Sequence, residues 1–178
     1  NRDLQLLREM KEMSVPELEI LVNDSCLQDC PFRQYHYNSG SHASGQKSYY
    51  LEYCVYNCLY LRMKNPVEIL KSPWIRPEDL KRYNGLVDYV KIGGREKNVN
   101  WIANVVSAYA NGRYEGNAID LLTITSPKSH EIGDLIFSED FDLYLDNAEL
   151  DQYFEHVLTA CKKNCSKCNY CESYALDN

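Results

Sequence analysis

At 178 residues and 20.7 kDa the chain is long enough for one ordinary domain with a sizeable core and too short for two independent ones. Charged residues make up 25% and hydrophobic residues 44%, which excludes collagen-like and disordered chains. With 19 Lys and Arg against 26 Asp and Glu, the net charge of −7 removes the basic footprint of a protein that grips phosphate backbone non-specifically.

Residues 3–13, DLQLLREMKEM, set Leu4, Leu7 and Met10 on one helical stripe, and Pro16 ends it. LEILVND at 18–24 is a short apolar run closed by Asn and Asp, the pattern of a buried strand whose C-terminal end opens into a loop. Residues 38–48, NSGSHASGQKS, lack periodicity and predict an exposed loop. In WIRPEDLKRY, Pro77 followed by Glu78 and Asp79 marks a helix start. VDYVKI at 87–92 is a second strand and Gly93-Gly94-Arg95 a turn. NVNWIANVVSAYANG follows as a helix, with Ile102, Val105, Val106 and Tyr109 on one side and Gly112 as its stop. DLLTIT at 120–125 reads as a further strand or the tail of a short helix, and the acidic stretch after it as a connecting arm. From residue 149 a helix returns, with Leu150, Tyr153, Phe154, Val157 and Leu158 as its apolar face.

Strands alternating with helices predict α/β architecture, with parallel strands and outer helices. A complete (β/α)8 barrel needs eight strands and about 250 residues. If the architecture is barrel-like, this chain supplies about half of it; a small open sheet is the alternative. The expected division is a partial TIM-like (β/α) barrel over 1–125, a connecting arm over 126–148, and a helix with a Cys-rich C-terminal extension over 149–178.

The 8 cysteines fall into two pairs, Cys26 with Cys30 and Cys54 with Cys58, and a quartet, Cys161, Cys165, Cys168 and Cys171. No apolar run has the roughly 18 residues of a membrane span, and Asn1-Arg2-Asp3 is not a secretory leader. That predicts a cytoplasmic, reducing setting, where grouped cysteines more often hold a metal than a disulfide. A start at Asn1 instead of Met is also what a processed or excised piece would be expected to show; an extracellular chain with a trimmed leader would allow four bridges. The quartet, CKKNCSKCNYC, suits an iron-sulfur cluster or a four-cysteine zinc site, and its serial spacing is closer to the ferredoxin way of wrapping a cluster. Unliganded cysteines at a frayed end are the alternative. Each pair is spaced i, i+4, which brings thiols about 6 Å apart on a helix but roughly 13 Å apart on a strand. If both pairs ligate one 4Fe-4S cluster, both must be helical or turn-like.

Beside the first pair, Arg33 offers a planar fork for an anion and His36 a proton donor or ligand. Lys91, inside an otherwise apolar strand, is costly to bury unless it faces a pocket or partner, so Lys91 with Arg95 forms a candidate anion clamp for substrate. The Tyr-rich run from Tyr49 to Tyr60 could stack on an aromatic ring or fill an α/β shell.

The combination of LVNDSCLQDCPFRQYHYN, WIRPEDLKRY and YVKIGGR resembles the peptidase U32 family, which includes collagenase-like proteases and the oxygen-independent hydroxylases of ubiquinone and tRNA. The resemblance covers about residues 2–125. It rests on the strand ending in Val22-Asn23, the Cys-rich loop, the Arg-Pro-Glu-Asp segment and the Lys-Ile-Gly-Gly-Arg turn, where the family commonly has Lys-Ile-Glu-Gly-Arg. It implies a TIM-like barrel whose second half this chain contains, completed by a missing N-terminal half or a partner chain. In the hydroxylase branch it also implies a 4Fe-4S cluster held by four cysteines. Cys54-x-x-x-Cys58 resembles the second cysteine pair of that branch, while Cys26 and Cys30 stand closer together than its first pair. The apparatus of an ordinary protease is not recognisable.

The function so implied is an iron-sulfur enzyme of anaerobic metabolism that hydroxylates or otherwise modifies a nucleobase or small aromatic substrate. Its residues would be Arg33, His36 and Lys91 in catalysis, Lys91 and Arg95 on the substrate, and the eight cysteines on one or two 4Fe-4S clusters. The alternatives are a zinc-binding or metal-free binding module and a U32-type peptidase.

Overall fold

The computed structural model describes residues 2–13, 17–43, 53–95, 97–123 and 143–177. The chain divides into two compact units, Asn1–Ser25 with Pro73–Thr125 and Asp142–Asn178, and Cys26–Ser72 with Ser126–Phe141. The excursion from Cys26 to Ser72 carries three helices of its own.

In the first unit, α1 (Leu4–Glu12) begins where the Asp3 carboxylate accepts from the Leu6 N–H, and it buries Leu4 and Leu7. β1 (Glu19–Leu21) and β2 (Tyr89–Lys91) pair in parallel, with Ile20 opposite Val90. Asp88 sets the register, because its carboxylate accepts from the Leu18 N–H at 2.9 Å and from Lys11 Nζ at 2.8 Å. A slip of one residue would break both bonds and turn Ile20 outward.

The strands are not the fully buried runs expected from composition. Leu18, Ile20 and Val22 are buried while Glu19 faces outward, and β2 is exposed along its length. The sheet of the described residues has two strands, so neither is flanked by strands on both sides, and a period of two replaces the continuous apolar pattern of an interior strand.

After the excursion the chain re-enters the core at Trp74 and Ile75, both fully buried. The Ile75 N–H donates to Val22 O at 2.8 Å, and the Tyr109 hydroxyl donates to Ile75 O at 2.8 Å. Pro77 starts a helical segment as predicted, but Pro77–Tyr83 is a 3-10 helix, its first turn closed by the Asp79 N–H on Arg76 O. α5 (Val99–Asn111) is capped by Asn98 and ended by left-handed Gly112. Of its predicted face, Val105 and Tyr109 are buried but Val106 is exposed, since Ala108 completes the inward stripe. DLLTIT opens as the 3-10 turn Ala118–Leu121; Ile124, Thr125 and most of the predicted arm lie outside the described residues.

α6 (Asp151–Thr159) buries Tyr153, Phe154, Val157 and Leu158, as its periodicity predicts. Trp74 meets Phe154 edge-on at 4.8 Å, and the buried Arg2 guanidinium lies 4.8 Å from the Phe154 ring while donating to Trp74 O at 2.6 Å. A further helix, α7 (Tyr170–Asp177), occupies what the sequence left as a Cys-rich tail.

In the second unit, α2 (Arg33–Ala43), α3 (Tyr53–Lys64) and α4 (Val67–Lys71) follow one another. The loop predicted over 38–48 is corrected in its first half, because α2 runs through Ala43. Gln34 Nε2 reaches Asn38 Oδ1 one turn on at 3.2 Å, which supports the helix against the weak propensity of Asn, Ser and Gly. The rest of that segment, with Tyr49 and Tyr50, lies outside the described residues. Among the described residues no helix is long and apolar enough to cross a membrane.

Candidate functional site

In α/β sheets, sites form at the carboxyl ends of strands, and here that end of the β1/β2 pair is polar and buried. Asn23, Asp24 and Ser25 follow β1 after Val22 and are almost fully buried. Asn23 Nδ2 donates to Gly93 O and to Leu121 O, each at 3.1 Å, while Asn23 Oδ1 accepts from the Gly93 N–H at 2.8 Å. The Asn23 carbonyl takes the Thr123 N–H at 3.3 Å, and Ser25 Oγ lies 3.3 Å from Thr123 Oγ1. Three chain segments thus meet on one residue. Sequence reasoning treated Asn23 only as the end of a strand; an Asn closing an apolar run was the signal for this role. The turn beyond β2 needs glycine at 94, where φ is +103 and a Cβ would stand 2.5 Å from the Trp101 ring.

Lys91 is exposed and forms an ion pair with Glu19 at 3.1 Å. Water and a carboxylate satisfy its ammonium, so the premise of a lysine buried in the strand does not hold. Arg95 is exposed in the following turn. In the second unit, Arg33 and His36 stand three residues apart on α2 and share a face, bordered by exposed Phe32, Tyr35 and Tyr37. The Arg33 guanidinium lies 5.9 Å from the Tyr37 ring.

The geometric condition read from the cysteine spacing is met. α3 carries Cys54 and Cys58 one helical turn apart, and Cys26 and Cys30 flank a turn in which Asp29 has φ 51. Cys26, Cys30 and Cys58 are half-buried. All four belong to the second unit, whereas the terminal quartet belongs to the first. Among the described residues, no three His, Cys, Asp or Glu side chains are gathered around one point as a metal ion requires.

A groove of about 640 Å³ in the first unit is lined by Arg76, Asp79, Arg82, Asp151, Glu155 and His156 among others, and none of the candidate site residues read from the sequence lines it. Its arginines are already paired: Arg76 with Asp79 and Asp151, each at 2.8 Å, and Arg82 with Glu155. Burial opposes the charge of Arg76, but the bonds from Asp79 and Asp151 outweigh it and hold the guanidinium above its ordinary value. Charges compensated in this way are not free to take an anionic ligand.

The chain is 43% identical over 176 residues to an uncharacterized protease of Methanocaldococcus jannaschii, a match that takes in 98% of this chain and 49% of that protein. Nearly the whole chain is thus related to part of that protein. The match is consistent with the resemblance to the peptidase U32 family. The chain spans about half the length of the curated relative it matches. No family model and no solved structure matches it.

Proposed function

We propose that this chain is part of an iron-sulfur enzyme of the U32 type that hydroxylates or otherwise modifies a nucleobase or small aromatic substrate without oxygen. The observation that supports this reading is the placement of Cys26, Cys30, Cys54 and Cys58 in one compact unit, one pair about a turn and the other on a helix. Four soft thiols are the donor set of a 4Fe-4S cluster. The cluster, when bound, would supply one-electron chemistry. The chain's own residues do the rest: the four cysteines ligate, Arg33 holds a planar or anionic group of the substrate, and His36 on the same face of α2 carries a proton at its imidazole. The remaining barrel strands come from a further segment or a partner chain.

The name of the relative supports a second reading, a U32-type peptidase. Anaerobic purification of the chain, with visible spectra and iron, sulfide and zinc analysis, separates the readings. Brown protein that loses its iron on Cys54→Ser with Cys58→Ser supports the first. Zinc alone on the same cysteines would replace it with a structural or binding module, and peptide hydrolysis by colourless protein would favour the second.

A further inference from the structure

We propose that Cys161, Cys165, Cys168 and Cys171 form a separate thiolate metal site, seated on a helical hairpin of the first unit and independent of the function proposed above. α7 folds back onto α6: Tyr170 stacks on His156 with ring centroids 3.6 Å apart, Tyr174 packs 5.1 Å from Tyr153, and the Tyr174 hydroxyl donates to Glu149 O. Both ends of the intervening loop are therefore pinned. Cys161 and Cys171 sit half-buried at its base, and Cys165 and Cys168 are exposed at its crest.

The base thiols already receive the attention a ligand sulfur needs. The Lys163 N–H donates to Cys161 Sγ at 3.4 Å, from a residue held at φ 55, a conformation that a residue with a side chain seldom takes. The Tyr153 hydroxyl lies 3.4 Å from Cys171 Sγ. Cys165 lies in, and Cys168 directly after, a turn in which the Lys167 N–H bonds Asn164 O at 3.0 Å, with the Cys-x-x-Cys spacing of a metal knuckle.

Binding has to draw the crest pair onto the base pair, and the chain is short enough to do so: three residues separate Cys161 from Cys165 and two separate Cys168 from Cys171. Four S–H bonds give their protons to solvent, four metal–sulfur bonds form, and no electron is transferred. With a divalent ion the site carries two net negative charges, which Lys162, Lys163 and Lys167 in the same loop offset.

The test is titration of the reduced full chain with Co2+ under argon, followed by zinc in one arm and by ferrous iron with sulfide in another. Tetrahedral cobalt-thiolate bands are expected. They should persist when Cys26, Cys30, Cys54 and Cys58 are all changed to Ser, and in that quadruple background, in which both later arms are read, they should fall at least tenfold on adding Cys165→Ser and Cys168→Ser, whose exposed positions leave folding intact by circular dichroism. Displacement of the bands by zinc assigns the site to a single ion, and a brown chromophore in the other arm to a cluster. Cobalt-thiolate bands unchanged in the crest double variant, or absent from the chain altogether, would overturn the proposal. Loss of bands only in the internal quadruple variant would overturn it while leaving the iron-sulfur reading standing.

Discussion

Asn23 and Gly93 are bonded in both directions: the Gly93 N–H donates to Asn23 Oδ1 at 2.8 Å, and Asn23 Nδ2 donates to Gly93 O at 3.1 Å. A side-chain amide here stands in for the next rung of the β ladder, just past the last backbone bond from the Val22 N–H to Lys91 O. The same nitrogen also serves Leu121 O, so a fully buried side chain closes the end of the strand pair.

Replacing Asn23 with Asp removes both donated bonds and puts a carboxylate where two carbonyls converge. We expect a loss of about 3 kcal/mol in urea unfolding at neutral pH, in line with leaving buried polar groups unsatisfied. The deficit should narrow in acid, where a protonated carboxyl can donate once. A variant as stable as the parent would show that the amide bonds contribute nothing net.

Gly93 is a matter of space. A Cβ there would lie 2.9 Å from Thr123 Cγ2, so Gly93→Ala should cost roughly 1–3 kcal/mol by overpacking. Thr123→Ser removes that methyl while keeping the hydroxyl beside Ser25. Combined with Gly93→Ala it should restore most of the loss in a double-mutant cycle; additive losses would refute the steric account.

Asp79 and Asp151 both pair with Arg76, but Asp79 is almost fully buried and the Asp151 side chain is 81% exposed. Asp79→Asn leaves the buried guanidinium short of its main counter-charge and should cost about 3 kcal/mol. Asp151→Asn should cost less than about 1 kcal/mol. Equal losses measured by denaturation would mean that burial does not decide the strength of this network.

The bond from the Leu6 N–H, helped by nearby Lys163, holds the Asp3 carboxyl below the usual carboxylate range. With the folded-state value depressed, the unfolded chain takes up its proton first as pH falls. The stabilisation is therefore whole above about pH 4 and is lost as pH drops through the lower folded value. Asp3→Ala should lower the unfolding free energy by about 1 kcal/mol near neutrality and leave it unchanged well below that range. An acid slope identical to the parent's would exclude Asp3 as its source.

On the proposed function, His36→Asn should lower turnover by about 10²-fold with iron content unchanged, whereas Cys58→Ser should lose iron and activity together. If His36→Asn turns over at the parental rate, the imidazole carries no proton in the reaction.

Local patterns determined much of this molecule. Periodicity and end signals placed α5 between Asn98 and Gly112 and the buried face of α6 on Tyr153, Phe154, Val157 and Leu158, because a helix end and an amphipathic stripe are decided within a few residues. The i, i+4 cysteine spacing set only a condition, that both pairs be helical or turn-like if they ligate together. Other features were decided by neighbours far away in the chain. Whether Lys91 is buried depends on what covers β2, and Glu19, 72 residues away, answers its charge. Asn23 became a clasp only when Gly93 and Leu121 arrived beside it. The quartet gained its pinned base because Tyr170 and Tyr174 found α6, a pairing between aromatic side chains that no local spacing announces. Tertiary contacts of this kind supply the burial and the hydrogen-bond partners that short-range propensity leaves open, which is why the candidate residues were legible one by one and their roles were not.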